Sequence, residues 1–230
     1  MVVDSYRMEI LRKLIHLLAL AYLGIYFLIA ANFGHRTGLE VLCGLLVLLL
    51  LLEFLPLGQW MRHFWLDFLN NFRREKELGR VGAEIYLILG VIVSLAAYDT
   101  VIAVAAILMM VFGDLSAALV GRKFGCHRPP VFGGEKSLEG ALACLLVNLL
   151  TGFIYFSGGI AAVIWQQDFA LRTPGFYFPA PGSGYLWLAL IMSVAAALAE
   201  LALDRIDDNL TIPLIAGFAG QLTLTVINLG

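Results

Sequence analysis

Two adjacent carboxylates and an amide, Asp207-Asp208-Asn209, interrupt the tract ELALDRIDDNLTIPL (200–214) between two apolar segments. Charge at the edge of hydrocarbon is costly and usually faces a polar cavity, an ion or a phosphate. Glu200, Asp204 and Asp208 recur at i, i+4 and i+8, so one face of a helix could carry all three. Carboxylates with few other donors around them suit Mg²⁺, which takes one or two together with waters and phosphate oxygens. Asp207 and Asp208 are therefore candidate metal ligands. Asn209 can cap the helix that follows, with Pro213 in its first turn.

Four further groups could work with these acids. Asp114, preceded by Gly113, lies seven residues before Gly121-Arg122-Lys123, roughly 10 Å inside the end of its apolar segment at 1.5 Å per residue. An aspartate at that depth needs a partner or a ligand, and Gly113 leaves room for a ligand or a neighbouring helix to approach. Arg12, Lys13 and His16 have the spacing to share one sector of a helix. The basic pair alone would serve as an orienting flank, but His16 sits one turn deeper. The run Gly133-Gly134-Glu135-Lys136-Ser137-Leu138-Glu139-Gly140 offers backbone N–H groups, an ammonium and a helix start, the parts of an anion cradle. It is not a Walker A loop, because Glu135 stands where a glycine must precede the lysine. Glu139 could pair with Lys136 or take a cation. Glu84, at another helix entry, is explained equally well by the helix dipole.

The elements that must position these groups are apolar helices. The chain of 230 residues is 61% hydrophobic and 14% charged, with a mean hydropathy of +0.89. About 20 apolar residues cross a bilayer as a helix, and seven segments qualify: Leu14–Ala31, Leu39–Leu57, Val81–Ala97, Thr100–Val120, Leu138–Gly158, Tyr185–Leu203 and Thr211–Leu229. The short run Gly159–Trp165 reads as a continuation of the fifth span or a surface segment. Seven spans put 13 of the 15 lysines and arginines on one side. By the positive-inside rule that side is cytoplasmic, as is the N-terminus, and all the polar groups above lie at or near it. The first segment is too long for a signal-peptide core and reads as a retained helix. Gln59–Arg74 places Met61, Phe64, Trp65, Phe68 and Phe72 on one face, as an amphipathic helix lying along the interface would. Cys43, Cys126 and Cys144 suggest neither a disulfide framework nor a zinc site. The expected architecture is an all-α polytopic integral membrane protein, one domain over 1–230.

Acids for a hard cation, bases for phosphates and a glycine-rich loop meet where a soluble nucleotide would reach a lipid-embedded substrate. That combination points to phosphoryl or nucleotidyl transfer at a membrane surface. Nothing in it points to nucleic acid, and it leaves oligomeric state open.

Four blocks, RKLIH (12–16), FGDLSAALVGRKFG (112–125), EKSLEG (135–140) and DDNLTIPL (207–214), occur in that order across nearly the whole chain. In them the sequence resembles the dolichol kinase and phytol kinase family of CTP-dependent polyprenol kinases, which includes CTP-dependent diacylglycerol kinase. Gly82–Tyr86 is a weaker match. The resemblance implies transfer of the γ-phosphoryl group of CTP to the hydroxyl of a long-chain isoprenoid alcohol, with Mg²⁺. Asp114, Lys136, Glu139, Asp207, Asp208 and Asn209 would then form the nucleotide and metal site. Asp207 and Asp208, with Asp114 close by, would hold the metal. Lys136, with Arg122 or Lys123, would offset charge on the leaving diphosphate, and Asp114 would accept the alcohol's proton. The length is nearer to prokaryotic or plastid members than to eukaryotic dolichol kinases, so a prokaryotic plasma membrane is the expected location. A cytidylyltransferase acting on phosphatidate or a related lipid phosphate would share this architecture and release pyrophosphate instead of CDP. A small transporter using Asp114 and Glu200 would need polar residues through the membrane depth, and the outer halves of the spans are nearly free of charge.

Overall fold

The computed structural model describes residues 15–54, 82–129, 136–157, 159–166, 183–202 and 207–229. Arg12, Lys13, Gly134, Asp204 and the amphipathic stretch 59–74 lie outside the described residues. Every regular element among those described is helical. A 3₁₀ turn, Ile15–Leu17, leads into α1 (Leu18–Phe33), followed by α2 (His35–Phe54), α3 (Ala83–Ala97), α4 (Thr100–Phe124), α5 (Leu138–Ser157), the short α6 (Ile160–Gln166), α7 (Ser183–Ala202) and α8 (Asp208–Leu229). Five of these, α2, α4, α5, α7 and α8, are long and apolar enough to cross a membrane. α1 and α3, with 16 and 15 residues, are apolar but shorter.

α4 is the axis of the bundle. It is buried almost continuously from Thr100 to Val111, whereas α2 buries only Gly38 and Leu42. α5, α8, α3 and α7 all pack on α4. The outward faces are apolar as well: Leu142, Leu146 and Leu150 form an exposed stripe on α5, and Phe218, Leu222 and Val226 form one on α8. Between apolar helices in an apolar solvent, burial gives little drive to associate, so close packing of small residues has to supply it. The α4–α5 seam does this. A methyl on Gly140 would come within 2.9 Å of the Ala117 carbonyl oxygen, and one on Gly113 within 2.5 Å of the Asn148 amide. Gly113, Ala117 and Gly121 on α4 thus run antiparallel to Asn148, Cys144 and Gly140 on α5.

Several boundaries differ from the sequence expectation. α4 continues to Phe124 instead of stopping at Val120, because Arg122 and Lys123 suit the negative end of a helix. α6 is a separate short helix set off by Gly159, whose φ of 77° breaks the run from α5. α8 begins at Asp208 instead of Thr211, which places Pro213 inside the helix beyond its first turn. Glu200 and Asp208 therefore stand on two helices, not on one face of a single helix.

Candidate active site

Two helix caps set the positions of the charged groups. Ser137 accepts a hydrogen bond on Oγ from the Gly140 N–H at 3.1 Å, and its carbonyl accepts from Ala141 at 3.0 Å, so α5 starts immediately after it. Lys136 is left just outside the helix, with its long stem able to reach across the bundle end. At α8, Asp207 accepts the Asn209 N–H on Oδ1 at 2.9 Å, and its carbonyl accepts from Leu210 and Thr211. Asp207 is thus the cap that Asn209 was expected to be. Asn209 instead lies buried beside α3, where its Nδ2 donates to the Ala83 carbonyl at 3.5 Å. Burial pushes the Asp207 carboxyl above its ordinary pKa, while the Asn209 N–H bond and nearby His16 pull it the other way.

The caps and the packing on α4 bring five titratable side chains together. Asp114, on the buried face of α4, is 2.7 Å from His16, its Oδ2 facing Nε2. His16 Nδ1 is buried with no hydrogen-bond partner among the described residues. Asp114, Glu200 and Asp208 each present a carboxylate oxygen within 4.8 Å of the others. Lys136 Nζ lies 2.9 Å from Asp208 Oδ1 and 3.4 Å from Glu200 Oε2. Three carboxylates this close repel one another unless a cation sits among them. Cys144, one turn into α5 from Gly140, is fully buried and lies within electrostatic reach of Glu200, Asp114, Lys136 and Asp208.

The other sequence candidates divide. Gly113 makes room for a neighbouring helix, because the Asn148 amide fills the space beside it. Glu139 meets His127, with Oε1 2.6 Å from Nδ1 and 3.1 Å from the backbone N–H, which ties the loop after α4 to the start of α5. Arg122 and Lys123 are exposed in the last turn of α4, with Lys123 Nζ 5.2 Å from the Phe124 ring centre. Glu84 is buried in the first turn of α3. Asp207, expected beside Asp208 on a metal, is not among the three grouped carboxylates; Glu200 is. Glu200 carried a signal in its i, i+8 relation to Asp208, but the two stand on different helices, so the spacing did not show how they would meet.

A group of buried acids at the end of an apolar bundle fits metal-assisted chemistry on a phosphorylated substrate. Similarity to known proteins bears on which chemistry it is. The chain is 26% identical over 213 residues to CTP-dependent diacylglycerol kinase 1 of Saccharomyces cerevisiae, covering 90% of itself and 71% of that protein. It is homologous to lipid kinases. The farnesol kinase of Arabidopsis thaliana chloroplasts is 27% identical over 220 residues, covering 93% of the chain and 65% of the kinase. The phytol kinase of Synechocystis is 31% identical over 118 residues, covering 50% of the chain and 41% of the kinase. The chain thus spans less than two thirds of the length of these last two lipid kinases. No family model matches it, and no solved structure does.

Proposed function

We propose that this protein is a membrane-embedded, CTP-dependent lipid kinase that moves the γ-phosphoryl group to the hydroxyl of an isoprenoid alcohol or of diacylglycerol. The observation that carries the reading is the convergence of Asp114, Glu200, Asp208, Lys136 and His16, from five separate segments, at one end of an apolar bundle. CTP as donor rests on the Saccharomyces cerevisiae relative, and the choice of lipids on the diacylglycerol, farnesol and phytol kinases. The topology that suits it has seven crossings, with the N-terminus and this end of the bundle in the cytoplasm, where 13 of 15 basic residues fall.

Three carboxylate oxygens within 4.8 Å of one another are a hard, oxygen-only donor set, which fits Mg²⁺ with its remaining positions left to water and phosphate. Asp114, Glu200 and Asp208 would hold it. When bound it neutralises phosphate charge, the main requirement of phosphoryl transfer. The chain's own groups do the rest. Lys136 offsets the charge that grows on the leaving diphosphate, with Arg122 or Lys123 available at the rim. His16 orients Asp114, which takes the proton from the alcohol. The alcohol enters sideways from the bilayer, so its chain never leaves hydrocarbon.

The test is transfer from γ-labelled CTP, by purified protein in lipid nanodiscs, to farnesol, phytol, dolichol and diacylglycerol. The expected result is labelled lipid phosphate with one CDP per transfer, abolished by EDTA and restored by Mg²⁺. Release of pyrophosphate with a CDP-lipid product, when phosphatidate is supplied in place of an alcohol, would replace the kinase by a cytidylyltransferase, and no transfer to any alcohol would reject it.

A further inference from the structure

We propose that Lys136 is a built-in counter-ion that occupies the metal site until a nucleotide arrives, and that its displacement couples metal binding to nucleotide binding. This rests on the reading of Asp114, Glu200 and Asp208 as the metal site. Lys136 Nζ is bonded to oxygens of two of those three carboxylates, at 2.9 and 3.4 Å. The three side chains in these contacts are largely withdrawn from solvent, at 17% exposure for Lys136, 10% for Glu200 and 25% for Asp208. A partly desolvated ammonium and a divalent cation compete for the same oxygens, since each is a hard, strongly hydrated charge.

Each species bound alone leaves a cost behind. A metal ion entering without nucleotide takes from the Lys136 ammonium its bonds to Glu200 and Asp208 in a poorly hydrated place, and weakening the pairing of a partly buried charge is unfavourable. A nucleotide entering without metal brings its polyphosphate up to three carboxylates. When both enter, the metal takes the carboxylates and the ammonium takes the phosphate, so every charge keeps a partner. Lys136 can make that exchange because it lies outside α5, on a flexible four-carbon stem, while Ser137 anchors the backbone beside it. Reciprocal coupling between metal and nucleotide follows.

The experiment measures Mn²⁺ affinity by electron paramagnetic resonance on the full chain in nanodiscs, with and without an unhydrolysable CTP analogue. Wild-type protein is expected to bind Mn²⁺ weakly alone and more tightly with the analogue. Lys136→Met should bind Mn²⁺ alone at least about tenfold more tightly than wild type, within the usual range of such couplings, and should gain less from the analogue than wild type does, since only the phosphates' own bonds to the ion remain. Lys136→Arg, which keeps the charge, should behave as wild type. Lys136→Gln provides a second neutral variant should the methionine variant fail to fold. If Lys136→Met and Lys136→Gln bind Mn²⁺ no more tightly than wild type while Asp208→Asn abolishes binding, the metal site stands and the counter-ion role is overturned. If no protein binds Mn²⁺ in a manner sensitive to Asp208→Asn, the metal site itself is lost and this inference with it. Labelled transfer from CTP would still report separately on the kinase.

Discussion

The two ends of the bundle both bury polar groups, and they balance them in opposite ways. At the end joining α3 to α4, Asp99 meets Gln221, which donates from Nε2 to Asp99 Oδ2 at 2.7 Å and accepts the Asp99 N–H on Oε1 at 2.9 Å. Nearby, Tyr98 donates to the Leu214 carbonyl at 2.8 Å, and Tyr26 meets His35 at 2.6 Å. These contacts tie α8 and α2 to their neighbours. At the other end Asp114, Glu200 and Asp208 crowd together beside Lys136 and His16. A carboxylate held by a neutral amide is structure, whereas three acids gathered about an ammonium on a flexible stem are a place for exchange.

That contrast is sharpest for Asp208→Asn. Removing a carboxylate from the acidic group should lower turnover by more than about a hundredfold, beyond what outer partners of a metal site contribute. The unfolding midpoint should stay near wild type, because repulsion among the remaining acids is relieved. A proportionate loss of folded protein would instead make the cluster structural. Gly113→Ala should come next. The added methyl meets the Asn148 amide at 2.5 Å, so overpacking should cost about 1–3 kcal/mol. Turnover should fall as well, because Asp114 is the next residue; unchanged turnover would show that the α4–α5 seam does not position it.

Gln221→Ala tests the opposite end. Asp99 is 3% exposed, and losing its amide partner should cost about 1–3 kcal/mol in stability while turnover per folded molecule is unaltered. A drop in turnover with intact folding would end the division of labour between the two ends. The smallest effect is expected from Asp207→Ala, which removes the cap of α8 at about 1 kcal/mol. Turnover measured beside that of Asp208→Asn separates two neighbouring aspartates that the sequence makes look equivalent. An equal collapse in both would return Asp207 to the metal site.

Much of this was legible in the chain itself. Asp114 announces itself because a carboxylate deep in an apolar segment has few inexpensive explanations, and His16 because it lies a turn deeper than a basic flank requires. The helical class follows from long apolar runs, since a backbone away from water must satisfy its own hydrogen bonds. Other parts were less readable. Glu139 and Lys136 are three residues apart across the start of α5, yet one turns to His127 and the other to Asp208. Their side-chain directions depend on where α5 starts, which the Ser137 cap decides. Asp207 and Asp208 are likewise separated by a helix boundary one residue wide.

Residue types and their order determined that the chain makes apolar helices with acids, a lysine and a histidine held near their ends, because transfer free energies act on each segment independently. Only the tertiary structure decided that Glu200 joins Asp114 and Asp208, that Asp207 becomes a cap, and that Lys136 lies among the acids. Those outcomes depend on distances of a few ångströms between segments far apart in the chain. Such distances are set by how closely glycines let α4 and α5 approach and by which residue begins α8.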